Sequence, residues 1–231
     1  MRLDGRRPGE LRKVSVTLGV IPGTDGSCLF KQGHTQVLAT VVGPHETGVG
    51  PKRQLEAVLE CEYTTTPYAS TLRHESSRIS RPNKDLAMVI QQTFERVVLR
   101  SILPQSFVTI NVMVQNNAGS ALACAINAVS CALIHAGIPM RDVITATTGS
   151  VVDTLPLLDL NASERGHAGS QVTVATEVLS GKIATVQSES CVSVEAMDAI
   201  LDLTMAGCGL IAEQIRDCIR ADVNLNPATV S

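Results

Sequence analysis

Between residues 101 and 140 the chain carries no Asp, Glu, Lys or Arg, and in the middle of that stretch the polar loop Gln115-Asn-Asn-Ala-Gly-Ser120 opens onto a small-residue helix, Ala121 to Ala136. A helix start offers unpaired backbone N–H groups and about half a positive charge, and glycine lets a ligand approach closely, so phosphate is the natural guest. No cationic side chain stands in the loop, and the first Arg downstream, Arg141, lies beyond the far end of the helix. The loop is an anion cradle that lacks a local clamp for phosphate chemistry.

Two segments elsewhere in the chain are basic. Thr71 to Lys84 holds Arg73, His74, Arg78, Arg81 and Lys84 against the single acid Glu75. This segment is either a solvated loop or a contact with the phosphate backbone of a nucleic acid, because exposed Lys and Arg supply sequence-independent affinity. Arg6, Arg7, Arg12 and Lys13 form the second, which reads as strand-edge charge or a protein contact. His34, His45, His135 and His167 have no ligand-like spacing to a Cys or carboxylate, so neither a metal nor a cofactor is expected. The seven cysteines, Cys28, Cys61, Cys124, Cys131, Cys191, Cys208 and Cys218, form no CxxC pair, and Cys124 and Cys131 fall seven apart on one helical face. They read as reduced thiols of an intracellular protein.

The elements that must hold these residues follow from periodicity. Lys13–Leu18, Ser27–Lys31 and Gln36–Val42 read as an antiparallel meander, and Leu55–Tyr63 as a fourth strand with Glu56, Glu60 and Glu62 on its wet face. Pro82 starts a helix whose apolar stripe, Leu86, Val89, Ile90, Phe94, Val97 and Val98, runs to about Ile102. Phe107–Val114 is a strand, followed by the cradle and its helix. Val143–Val152, Gln171–Glu177 and Lys182–Gln187 are three more, and a long helix spans about Val194 to Val223. That order predicts an α+β fold with helices packed on mixed sheets, in one domain over residues 1–231 with no dividing linker.

Composition narrows the function. A chain of 231 residues buries roughly 70% of its unfolded surface and needs no disulfide or metal for stability. The longest apolar run is broken by Asn127, Ser130 and His135, and the charged N-terminus has no apolar stretch behind it, so neither a membrane partner nor secretion is expected. With no Trp, two Tyr and three Phe, recognition by stacking on bases is disfavoured and nucleic-acid contact is expected at the backbone. A net charge of -3 leaves such contact to local patches.

Three stretches resemble the ribonuclease PH superfamily: Asp4-Gly-Arg-Arg-Pro-Gly-Glu-Leu-Arg-Lys13; Asp25-Gly-Ser27 with Gln32-Gly-His-Thr35 and Gly43-Pro-His-Glu46; and Ala136-Gly-Ile-Pro-Met-Arg-Asp142. The DGRR opening, Cys61-Glu-Tyr63 and Gln92-Thr-Phe-Glu95 are most similar to a ring subunit of the eukaryotic RNA exosome, the paralogue whose archaeal relative carries the phosphorolytic site. Asn117-Ala-Gly-Ser-Ala-Leu-Ala-Cys124 also resembles a second short ring paralogue.

The resemblance implies a fold of two βαβα-like halves, pairing with other ribonuclease PH-like ring subunits and with cap subunits, and a six-membered ring around a channel for single-stranded RNA. It also implies work in RNA processing, including rRNA, and in RNA degradation, in nucleus, nucleolus and cytoplasm. A homodimer in isolation is compatible with it. RNA-binding positions would be Arg73, Arg78, Arg81 and Lys84, with Pro82 standing where the family has a further Arg. Active members have an Arg directly after the Gly-Ser pair, and carboxylates six and twelve positions after the Asp of an Asp-Leu pair. Here the corresponding residues are Gly119, Ser120, Ala121, then Arg165 and Gln171 after Asp159. Phosphorolysis brings two anions together and must manage the leaving 3′ oxygen, so losing all three charges predicts a non-catalytic subunit. The alternative is an active phosphate-dependent 3′-to-5′ exoribonuclease, for which Glu164 is the only nearby acid. A stand-alone dimer with hydrolytic nuclease activity has no supporting motif.

Overall fold

The computed structural model describes residues 2, 4–46, 56–69, 81–152, 155–165, 171–188 and 191–225. Nine strands and four α-helices lie within them: β1 Val14–Leu18, β2 Gly26–Gln32, β3 Thr35–Glu46, β4 Val58–Thr65, α1 Arg81–Glu95, β5 Ser106–Asn116, α2 Ala121–His135, β6 Ile144–Val152, β7 Leu155–Leu158, α3 Ala162–Arg165, β8 Gln171–Glu177, β9 Ile183–Ser188 and α4 Val194–Leu225.

The first sheet has the order β1-β2-β3-β5-β4. Its first three strands pair antiparallel, β2 and β3 through the tight turn Gly33-His34, as their alternation predicts, but β5 inserts between β3 and β4 and runs parallel to β4. A parallel pair needs a crossover, and α1 supplies it. The carboxyl ends of β4 and β5 therefore leave the sheet at one edge, from which the chain departs towards α1 and towards α2. The second sheet, β7-β6-β8-β9, is antiparallel throughout, so only the first is mixed.

Helix α2 is the shared layer. Its residues from Ala123 to Leu133 are all buried, and it joins Phe30, Val37 and Ala39 of the first half to Ile144, Ala146 and Ala175 of the second in one apolar core. Small side chains permit this, since Gly26 of β2 sits so close that a Cβ there would lie 2.3 Å from the carbonyl oxygen of Ala132. The polar residues that interrupt α2 make a seam. β7 covers β6 only from Gly149 to Val152, and before that point Asn127 Nδ2 donates to Ala146 O (2.9 Å), Asn127 Oδ1 accepts from Ala146 N (2.7 Å), and Ser130 Oγ donates to Ile144 O at 2.5 Å.

One local expectation is corrected, and two short elements are added. Helix α1 ends at Glu95 rather than near Ile102, although Val97 and Val98 keep the helical period and are buried. A backbone pairing takes over, with Leu99 N donating to Pro139 O and Arg141 N to Val97 O. The short β7 and α3 have too few residues to show a period, and neither is legible in the sequence. Among the described residues no helix is long and apolar enough to cross a membrane.

Candidate functional site

Gly119 and Ser120 hold the cradle in left-handed backbone, φ 108° and 56°, immediately before α2. The bend lays the loop on the chain after β7: a Cβ on Gly119 would stand 2.4 Å from Leu160 O, and Ser120 Oγ donates to Leu160 O at 3.1 Å. Ser120 is thus buried, and its hydroxyl does not cap the helix. Ala121 follows it, half-buried and without charge.

A cation does stand beside this loop, brought from the far end of the sequence. Arg12 donates through all five of its guanidinium N–H groups: Nε and Nη2 to the two oxygens of Asp159 (2.9 and 2.6 Å), Nη1 to Thr35 Oγ1 and Ala118 O (3.2 Å each), and Nη2 to Gly119 O (3.2 Å). Its backbone N also donates to Asp159. Burial pushes the Asp159 carboxyl up, but hydrogen bonds and charge from Arg12 outweigh it and hold the group below its ordinary range, while Arg12 is held above its own. A guanidinium so engaged supports the loop from behind and has no donor left for a ligand.

Arg2 repeats the pattern. It grips Glu164 bidentately, Nε to Oε1 at 2.7 Å and Nη2 to Oε2 at 2.8 Å, and places its other N–H groups on the carbonyls of Arg7, Leu158 and Asp159. Glu164 also closes a capping box at the start of α3. Asn161 N donates to its Oε2 (3.0 Å), and Glu164 N donates to Asn161 Oδ1 (2.8 Å). Burial pushes this carboxyl up, yet Arg2, Asn161 N and the charge of Arg6 bring it below the usual carboxylate range. A general acid needs the opposite, a raised value and a free oxygen. Arg6 completes the clasp, with Nε 2.6 Å from Asp4 Oδ2 and Nη1 donating to Glu10 O and Asp159 O.

Arg165 ends α3, exposed, and burial pushes the Tyr63 phenol up despite a small opposing effect of the Arg165 charge. Gln171 begins β8 opposite Ser150, and both Gln171 Oε1 and Ser150 Oγ are buried without a partner. Two residues before Ser150, Thr148 O accepts from Asp159 N, so Gly119–Ala121, Asp159–Arg165 and Ser150–Gln171 share one end of the molecule. The positions expected to form the phosphate pocket thus lie towards that end, and the two carboxylates among Asp159 to Arg165 serve arginines. Among the described residues no three His, Cys, Asp or Glu side chains gather as metal ligands.

Of the expected RNA contacts, Arg73 and Arg78 lie outside the described residues. Arg81 and Lys84 are exposed in the first turn of α1, which holds no acid, and α1 begins where β4 and β5 end, on the cradle's edge of the sheet. Both cations stand in the first turn, with the exposed Asp85 directly after them. The other basic segment separates differently: Arg2, Arg6 and Arg12 are turned inward, whereas Arg7 and Lys13 are exposed. The clasp was missed by sequence reasoning, although Asn161-x-x-Glu164 is a capping-box signature that marks Glu164 as structural.

Other motif residues are also architectural. Asp25 accepts from Gly43 N (2.8 Å), Thr35 Oγ1 donates to Gly119 O (2.7 Å), and Asp142 accepts from the backbone of Leu179 and Ser180 to fix the turn between β8 and β9.

The profile of the 3′ exoribonuclease (RNase PH) family, domain 1, matches residues 10–139. The Arabidopsis thaliana protein named exosome complex component RRP41 homolog is 35% identical over 222 residues, covering 95% of this chain and 92% of its own. The crystal structure of rice Rrp46 superposes with a TM-score of 0.83 at 27% identity, over 93% of this chain and 98% of the other. The Archaeoglobus fulgidus exosome with RNA bound to the active site shares the fold, with a TM-score of 0.79 over 92% of each chain at 23% identity. With its cradle, its mixed sheet and its full-length relatives in agreement, the chain belongs to the ribonuclease PH family, as a homologue of the exosome component RRP41.

Proposed function

We propose that this chain is a non-catalytic ring subunit of an RNA exosome, which supports 3′-to-5′ RNA processing and degradation by helping to form the channel and by contacting single-stranded RNA. The observation that carries the reading is the state of Glu164, the one acid that could have replaced the missing pair. Both of its oxygens are engaged by Arg2 and Asn161, and its affinity for a proton is lowered. Ala121 supplies no phosphate clamp after Gly119-Ser120, and Arg165 and Gln171 supply no carboxylate to donate a proton or bind a metal.

RNA contact is assigned to Arg73, Arg78, Arg81 and Lys84, and the degenerate phosphate pocket to Gly119, Ser120, Ala121, Arg165 and Gln171. Assembly with other ribonuclease PH-like subunits is supported by the naming of the relatives as exosome components; pairing with cap subunits and work in nucleus, nucleolus and cytoplasm belong to the same proposal. Family membership itself favours the second reading, an active phosphorolytic exoribonuclease.

Native purification from the organism that makes the protein, followed by identification of the co-purifying chains, tests the assembly. Distinct ribonuclease PH-like chains in ring proportion are expected. A self-assembled ring of this chain alone, with phosphate-dependent nuclease activity, would overturn the proposal.

A further inference from the structure

Five aromatic side chains serve the whole molecule, and four are withdrawn from solvent. Phe30 and Phe94 are fully buried, Tyr63 is 4% exposed and Phe107 is half-buried, whereas Tyr68 is 75% exposed. A single exposed apolar group is ordinary in itself, so the place is what matters. Tyr68 lies in the turn Thr66–Ala69, between β4 and the segment that holds Arg73 and Arg78. That turn is pinned to the strand which becomes the cradle. Thr66 N and Oγ1 both donate to Val114 O (3.0 Å each), Ala69 N donates to Thr66 O (3.0 Å), and Asn117 N donates to Ala69 O (2.7 Å).

We propose that Tyr68 is a stacking platform for an unpaired RNA base whose phosphates are held by Arg81 and Lys84 of α1. The inference rests on the RNA-contact reading above and amends the expectation of purely backbone contact. Cations fix phosphates but do not hold bases, whereas every base has a π-face that a ring can cover regardless of sequence. A ring on a turn tied at both ends gives up little freedom when it is covered. Tyr63, two residues before the end of β4, cannot substitute because it is buried.

The absence of Trp makes the test direct, since tyrosine emission can be read without a brighter fluorophore. The full chain is titrated with single-stranded RNA and its emission is corrected for RNA absorbance, while affinity is measured by anisotropy of labelled RNA across a salt series. RNA should quench emission in the wild type, and Tyr68→Phe should keep the affinity within about twofold. Tyr68→Leu should raise Kd by about 5- to 150-fold with an unchanged salt slope, the range expected for one stacked base. Arg81→Ala should instead lower the slope by about one.

If Tyr68→Leu binds as the wild type does while Arg81→Ala weakens binding, stacking is overturned and the RNA reading stands. If the wild type binds no RNA, both fall. A Tyr68→Leu variant that only impairs assembly with other subunits would assign the ring to a protein contact and defeat the proposal.

Discussion

Arg12 and Asp159 show how a charge can sit beside a phosphate cradle without serving it. The pair is buried and joined by three hydrogen bonds, and removing either partner strands the other in a place where water cannot reach it. Arg12→Ala should therefore lower unfolding free energy by about 3–5 kcal/mol in denaturant titration. Arg7→Ala, from the same basic segment but exposed, should change it by less than about 0.5 kcal/mol. Equal effects from the two would contradict the clasp. Neither outcome could be read from charge counting, because the sequence places Arg12 and Asp159 147 residues apart. The motif residues Asp4, Arg6 and Arg12 were visible as a signature, but their distant partners were not, and two arginines that read as strand-edge charge or a protein contact, Arg6 and Arg12, turn out to be internal supports.

Helix α2 illustrates what element-level reading can and cannot reach. Its bounds, its small-residue packing and the cradle before it were legible, because a charge-free run opening after Gly-Ser has few other meanings. The role of Asn127 was not legible, since an interruption of an apolar run does not reveal which backbone it will meet. It satisfies both polar groups of Ala146 along the part of β6 that β7 leaves open. Asn127→Ala should cost about 2 kcal/mol or more, with the loss read as a lower denaturant midpoint, whereas a loss below about 0.5 kcal/mol would mean that water replaces the side chain. The overlong reading of α1 has the opposite cause. Val97 and Val98 keep a helical period because they are buried against the same core, yet their backbone pairs with Pro139–Arg141, and periodicity reports burial rather than hydrogen bonding.

For the molecule as a whole, the halves are held by the α2 core and by an ionic clasp at one end, so its acid stability is set by the clasp. Asp4, Asp159 and Glu164 all lie below their ordinary values in the folded chain, because arginine partners outweigh the effect of burial. Unfolding raises their affinity for protons, so their contribution is complete above the ordinary carboxylate range and is lost as pH falls through the folded values. Stability should stay level from pH 7 down to about 4.5 and decline below it, less steeply in Glu164→Gln. A curve that stays flat to pH 3 would contradict the assignment.

The same clasp bears on the proposed loss of catalysis, because the two carboxylates beside the cradle are held in structural ion pairs rather than left free for chemistry. Nucleoside diphosphate release from labelled RNA, followed across a phosphate titration with wild type and Glu164→Gln side by side, tests this most directly. The prediction is no phosphate-dependent release from either protein. Release by the wild type that rises with phosphate and disappears in a folded Glu164→Gln variant would contradict it.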